Sequence, residues 1–215
     1  MGAMIQAAIA TVVIALILGV SEILWRTMHI KGEFARKFVH IIAGTFIAFL
    51  PFWVSYEWVA VLAIGFIIAN LINRYTPIFH AINGVKRRSI GDVLFGVGIL
   101  ICALAEPNKW IFASAILQVA LADGLAALVG TKYSKHRYKI FDTYKSPIGT
   151  FTYFLSSAAV AIFILLVGNL GGHNVLAVVL FVPLIMASLE NVSGYGTDNI
   201  VLPVGFLLAM HAFSI

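Results

Sequence analysis

The sequence predicts an all-α, polytopic membrane protein: one integral membrane domain over residues 1–215, with about eight transmembrane helices. Three observations carry that prediction. Hydrophobic residues fill 61% of the 215 positions and charged residues 11%, with a mean hydropathy of +1.01; soluble domains carry roughly 25% charged residues. Apolar runs of about 17 to 25 residues recur along the chain, the length at which a helix crosses the hydrocarbon core. Basic residues fall almost wholly in alternate connections between those runs. Irregular backbone cannot face lipid, so the runs are helices.

In chain order, helices are expected near residues 4–25, 36–50, 56–72, 91–105, 109–130, 149–168, 174–190 and 200–214. The first has no basic flank of the signal-peptide kind and reads as a retained helix. The last is short for a span. The single cysteine, Cys102, falls in the fourth run and has no intrachain partner. Arg26, Lys31, Arg36 and Lys37 lie between the first and second helices, and Arg74, Lys86, Arg87 and Arg88 between the third and fourth. Lys132, Lys135, Arg137, Lys139 and Lys145 lie between the fifth and sixth. Of the 14 Lys and Arg, only Lys109 is left for the opposite side. Lys and Arg in short loops mark the cytoplasmic face. These loops are therefore expected inside and both termini outside.

Orientation alone explains the basic residues, but carboxylates gather on the same side. Asp92 opens the fourth helix, Asp123 lies near the inner end of the fifth, Glu190 ends the seventh and Asp198 precedes the eighth. Asp92 and Asp198 also suit helix capping or first-turn pairing with the helix dipole. Asp123 stands inside an otherwise apolar run, where an ionisable group marks a functional site by default; the structural alternative is a buried salt bridge to a loop lysine. Its sequence neighbourhood places it close to the lipid–water boundary. Carboxylates of this kind suit Mg²⁺, which takes one or two of them and completes its shell with water and phosphate oxygens.

The second helix opens Arg36-Lys37-Phe38-Val39-His40. Spacings of three and four put Arg36, Lys37 and His40 on one face, able to grip phosphates, or simply to snorkel. Ser146, Gly149 and Thr150 open the sixth helix behind Lys145, where free backbone N–H groups can hold phosphate. Ala120, Gly124 and Ala127 form a small-residue stripe around Asp123. Asn70 and Asn73 share a face of the third helix, lining the same cavity or bonding between helices. His29, His80, His136, His173 and His211 have no metal-ligand spacing. A parallel 4+4 internal repeat is also suggested, with Gly44–Leu50 matching Gly149–Leu155 and Ala69–Asn73 resembling Ala187–Asn191.

Taken together, Asp123-Gly124-Leu125-Ala126-Ala127-Leu128-Val129-Gly130, Lys145-Ser146-x-x-Gly149-Thr150, Glu190 and Asp198-Asn199-x-x-x-Pro203 resemble the CTP-dependent polyprenol kinase family. That family includes dolichol kinase, phytol kinase and the CTP-dependent diacylglycerol kinase. Arg36-Lys37-x-x-His40 is similar to its N-terminal motif, so the likeness runs from about residue 30 to 205. One departure stands out: the family usually has Glu where this chain has Ile148. The resemblance implies Mg²⁺-dependent transfer of the γ-phosphoryl of CTP to a lipid alcohol. The metal would fall to Asp123 with Glu190 or Asp198, and the nucleotide to Arg36, Lys37, Lys145, Ser146, Gly149, Thr150 and Asn199. Asp92, Asp123 and His40 are candidates for orienting the acceptor hydroxyl. Expected partners are CTP, a membrane lipid alcohol and the bilayer, with no nucleic acid. There is no GxxxxGK[ST] loop, so a soluble-type NTPase site is excluded. Two other readings differ in outcome: a CTP-dependent cytidylyltransferase would release pyrophosphate, and a membrane transporter would place its charges near the midplane.

Overall fold

The computed structural model describes residues 2–27, 32–75, 90–141, 143–170 and 174–213. Over these the chain is helical, with eight apolar helices: α1 Ala3–Thr27, α2 Gly32–Ala48, α3 Tyr56–Tyr75, α4 Gly91–Ala105, α5 Lys109–Tyr133, α6 Pro147–Val167, α7 Val175–Val192 and α8 Asp198–Ala212. Six of them are long and apolar enough to cross a membrane, and α4 and α8 are shorter apolar helices. A 3-10 turn, Leu50–Phe52, links α2 to α3, and a small antiparallel hairpin, β1 Tyr138–Ile140 and β2 Thr143–Lys145, links α5 to α6. Lys31, Lys86, Arg87, Arg88, His29, His80 and His173 lie outside the described residues.

α5 is the axis of the bundle. Of its span 78% is buried, against 11% of α1. α2, α6 and α8 pack around it, with α7 outside α6 and α8, and α3 and α4 paired beside α8. Small residues make the approach close: a Cβ on Gly44 would lie 2.4 Å from Ala120 Cβ, and one on Gly124 2.4 Å from Ile41 Cγ1. Gly98 on α4 likewise faces the Asn199 carbonyl of α8. Without a hydrophobic drive between helices in lipid, such backbone proximity supplies the packing energy. The like segments at Gly44 and Gly149 both seat on α5, the second against Ala126 and Gly130. A two-fold axis that placed the first on α5 would place the second on α1, so the likeness is not matched by equivalent packing.

The two ends of the bundle differ in chemistry. At one end are Trp53, Trp58 and Trp110, an aromatic belt suited to an interface, with Asn108 capping α5 through Trp110 N (2.9 Å) and Ile111 N (3.3 Å). Glu106 is buried there, accepting from Asn108 N at 2.7 Å and lying 3.4 Å from His211 Nε2. At the other end lie the polar starts of α2, α4, α6 and α8, the ends of α5 and α7, and the hairpin.

Candidate functional site

Inside α5 the regular helix gives way at Gln118–Asp123 to a π turn, with α-helix resuming at Gly124. Insertions of this kind are rare and concentrate at functional sites. Here the turn ends on Asp123. From Asp123 α5 runs on for ten more residues to Tyr133, about 15 Å at 1.5 Å per residue. Asp123 is buried, and its partner is not a loop lysine but Lys37 of α2, which donates to Asp123 Oδ2. Two charges this deep persist because each neutralises the other.

A second buried pair lies above the first. The hairpin, turning through Phe141 at φ 50°, delivers Lys145, which donates to the Glu190 carboxylate and, at 2.8 Å, to the Glu190 carbonyl. Burial pulls the Lys145 ammonium towards its neutral form, but the nearby carboxylates of Glu190 and then Asp123 outweigh it, and its pKa is raised. Ser146 follows in extended conformation and caps α6: its hydroxyl accepts from Gly149 N (3.1 Å) and its carbonyl from Thr150 N (2.9 Å). The first free N–H groups of α6 are thus partly used internally. Tyr138 of the hairpin donates to Asn191 Oδ1 at 2.7 Å and lies 3.2 Å from Thr150 Oγ1, tying hairpin, α6 and α7 together.

Asp198 is the first residue of α8 rather than a residue before it. Its Oδ1 accepts from Asn199 N (3.0 Å) and Asn199 Nδ2 (2.8 Å), and Asn199 also reaches the Gly196 carbonyl at 3.1 Å. The tight turn into α8 needs left-handed backbone at Tyr195 (φ 55°) and Gly196 (φ 85°), which glycine adopts without strain.

These elements enclose one cavity of about 460 Å³, within the range typical of ligand sites. Arg36, Lys37, Asp123, Lys145, Ser146, Gly149, Thr150, Glu190, Asp198 and Asn199 all line it. His40 and Asp92 do not. His40 is one turn deeper on α2, its ring 4.5 Å from Phe95 and its Nε2 buried without a partner. Asp92 pairs with Arg74 at 3.2 Å, where α3 meets α4. Asn70 and Asn73 also stay off the cavity, Asn70 bonding to Phe66 O of its own helix at 2.8 Å. Ile148 is outside the lining too and 38% exposed.

Several residues that shape the site escaped sequence reasoning. Arg137, Thr143 and Tyr144 line the mouth because of the hairpin, whose two three-residue strands are too short to give an alternating pattern. Arg137 is fixed by donating to Thr131 O at 2.7 Å. Gln118 and Tyr153 are fully buried beneath the site and joined by a 3.2 Å hydrogen bond. A glutamine inside an apolar run was the available signal for that pair.

No family model and no solved structure matches the chain. A curated relative does: a phytol kinase of Synechocystis sp., 34% identical over 201 residues, covering 90% of this chain and 85% of the relative. With that identity over nearly all of both sequences, the chain belongs to the polyprenol and phytol kinase family of membrane lipid-alcohol kinases.

Proposed function

We propose that this protein transfers the γ-phosphoryl group of CTP to the hydroxyl of a polyprenol, phytol-like or diacylglycerol lipid at the cytoplasmic face of the membrane. One observation carries the reading. In a chain of this family, Arg36, Lys37, Arg137 and Lys145 share a single cavity with Asp123, Glu190 and Asp198. Four cations against three carboxylates leave a positive balance that suits a polyphosphate. Phosphoryl transfer needs mainly positioning and charge neutralisation, and the cavity supplies both without a glycine-rich phosphate loop.

The donor set fits a divalent ion. Glu190 keeps Oε2 buried without a partner, and Asp123 and Asp198 line the same space. Among the described residues no three His, Cys, Asp or Glu side chains converge as a ready metal cage; Mg²⁺ would need only one or two of these carboxylates, with water and phosphate completing its shell. Asp123 with Glu190 or Asp198 would hold it, and when bound it neutralises charge on the transferring group.

The chain's own residues do the rest. Arg36 and Arg137 flank the mouth and take the outer phosphates, while Lys145 and Ser146 hold the inner ones. The acceptor hydroxyl attacks the γ-phosphorus, the bond to the nucleoside diphosphate breaks, and the hydroxyl proton leaves to a carboxylate. Asp123, buried in α5 beside Lys37 and lining the cavity, would take it. His40 and Asp92 stand off the cavity and would act only through neighbours.

Purified protein incubated with γ-labelled CTP or ATP and a panel of lipid alcohols tests this directly. Label in a lipid product with release of nucleoside diphosphate is expected. Pyrophosphate release from a lipid phosphate acceptor would mean cytidylyl transfer, and uptake into sealed vesicles without nucleotide would mean transport; either overturns the proposal.

A further inference from the structure

α2 and α5 run antiparallel and are held at backbone distance through two levels of the bundle. At the first, Gly44 meets Ala120; at the second, Gly124 meets Ile41. The Lys37–Asp123 pair closes the next level. One turn further towards the site face the helices part. Phe34 of α2 stands opposite Ala127, Leu128 and Val129 of α5, and between them opens a cavity of about 280 Å³ bounded by Thr131, Lys132 and Tyr133. Ala127, Leu128 and Val129 are half-exposed, where almost all of α5 before them is buried.

This second cavity is apolar, and it adjoins the polar one. Ala127 and Thr131 line both, and Ala127, four residues from Asp123, shares its helix face. At the outer edge Phe34 and Tyr133 are exposed, with Lys132 Nζ 5.1 Å from the Tyr133 ring centroid. An aromatic rim backed by a lysine is what a helix presents at the lipid–water interface.

We infer that this cleft between the start of α2 and the last turns of α5 is the acceptor's chain-binding site, admitting a hydrocarbon alcohol sideways from the bilayer with its hydroxyl directed past Ala127 to Asp123. The inference rests on the lipid-alcohol kinase reading above. Continuity fixes the occupant: a ligand filling the apolar cleft while its polar end lies in the phosphate cavity must be apolar along its length and polar at one tip. Size sets how much is read. An apolar cavity of about 150 Å³ takes a benzene-sized group, so the cleft takes roughly ten to twelve carbons. About ten carbons next to the hydroxyl are thus recognised, and the remaining chain lies in lipid. Selectivity should therefore be set by the bulk of the carbons nearest the hydroxyl and tolerate length beyond them.

Leu128 lines the cleft but not the polar cavity, so it separates the two. Leu128→Trp fills the cleft. The expected result is an apparent KM for phytol, as mole fraction in mixed micelles, raised about tenfold or more, with the nucleotide KM within twofold. If that variant does not fold, Leu128→Ala widens the cleft and should relax that selectivity for bulk next to the hydroxyl. A diazirine-bearing phytol analogue, photolysed in the wild-type protein and mapped by peptide, should label Phe34 and residues 127–133, competed by phytol. Label spread evenly over lipid-facing helices, or acceptor KM unmoved in both variants, would overturn the cleft. A wild-type protein that phosphorylates no lipid alcohol but is labelled at the cleft would instead refute the kinase reading while leaving the cleft as a lipid site.

Discussion

Lys37 of α2 and Asp123 of α5 form a buried ion pair that bridges two closely packed helices of the bundle and lines the candidate active cavity. The pair has two separable roles. Removing one partner strands the other charge, which costs about 3–5 kcal/mol; replacing both by apolar residues of similar volume is often neutral or stabilising. Asp123→Asn should therefore melt early and lose at least about a hundredfold in turnover, more than its folded fraction explains. Lys37→Met with Asp123→Leu should recover the melting temperature and remain inactive. Restored activity in the double variant would show the pair to be structural only.

Asp92 offers the contrast. It was an equal candidate beside Asp123, yet it pairs with Arg74 outside the cavity. Asp92→Asn should leave turnover within about threefold of wild type, the half-exposed pair being worth about 0–1 kcal/mol. Steady-state rates for the two Asp→Asn variants, measured side by side, check this ranking.

The close approach of Gly124 to Ile41 can be tested as a pair. Gly124→Ala places a Cβ 2.4 Å from Ile41 Cγ1 and 2.8 Å from its Cδ1, an overpacking worth about 1–3 kcal/mol. Ile41→Ala removes both atoms and leaves Cβ at 3.9 Å, an ordinary contact. The double variant should thus be more stable than the sum of the singles, with a coupling of about 0.5–3 kcal/mol. Additive losses would mean that α2 and α5 already part at this level.

How far these features could be read from the sequence follows from the kind of force behind each. Hydropathy and loop charge located all eight helices to within a few residues, because burial in lipid depends on composition. The motif residues of α5 to α8 were legible as a group, since Lys145, Ser146, Glu190 and Asp198 are polar exceptions beside apolar runs. Pairing was not legible. The partner of Asp123 is set by the antiparallel register of α2 on α5, fixed by glycines 44 and 124, and no local pattern reports that register. The π turn at Gln118–Asp123 likewise comes from tertiary packing, and α5 carries no start or stop signal there.

Lys145 links site electrostatics to pH. Its pKa is raised in the folded protein, so the stabilisation from its pair with Glu190 is fully present below the unfolded lysine value of about 10.4. It is lost only as pH rises through the higher folded value. Wild type and Lys145→Met should thus differ in melting temperature by a constant amount from about pH 7 to 9, the gap closing above about 10.5. A gap that closes by about pH 8 would show that the ammonium is not held in its charged form by these carboxylates.

Membrane orientation gives the last test, because the proposed chemistry requires the nucleotide's compartment to meet the site. Lys135, in the segment leading to the hairpin, and Tyr195, in the turn before α8, are exposed at the end that carries the cavity. Ser55 and Lys109 are exposed at the tryptophan-rich end. Eight alternating helices require the first two positions on one side and the last two on the other, and the weight of Lys and Arg predicts the cytoplasm for the first side. Single cysteines at these sites, in a background with Cys102 replaced, should react with an impermeant maleimide in intact cells at positions 55 and 109 only. Positions 135 and 195 should react only after permeabilisation. Labelling of 135 and 109 from the same side would break the alternation of α5 and with it the convergence of α2, α5, α6, α7 and α8 on one face. Labelling of 135 and 195 alone from outside would keep the bundle but move the site away from cytosolic CTP, and the donor assignment would fall while the architecture stood.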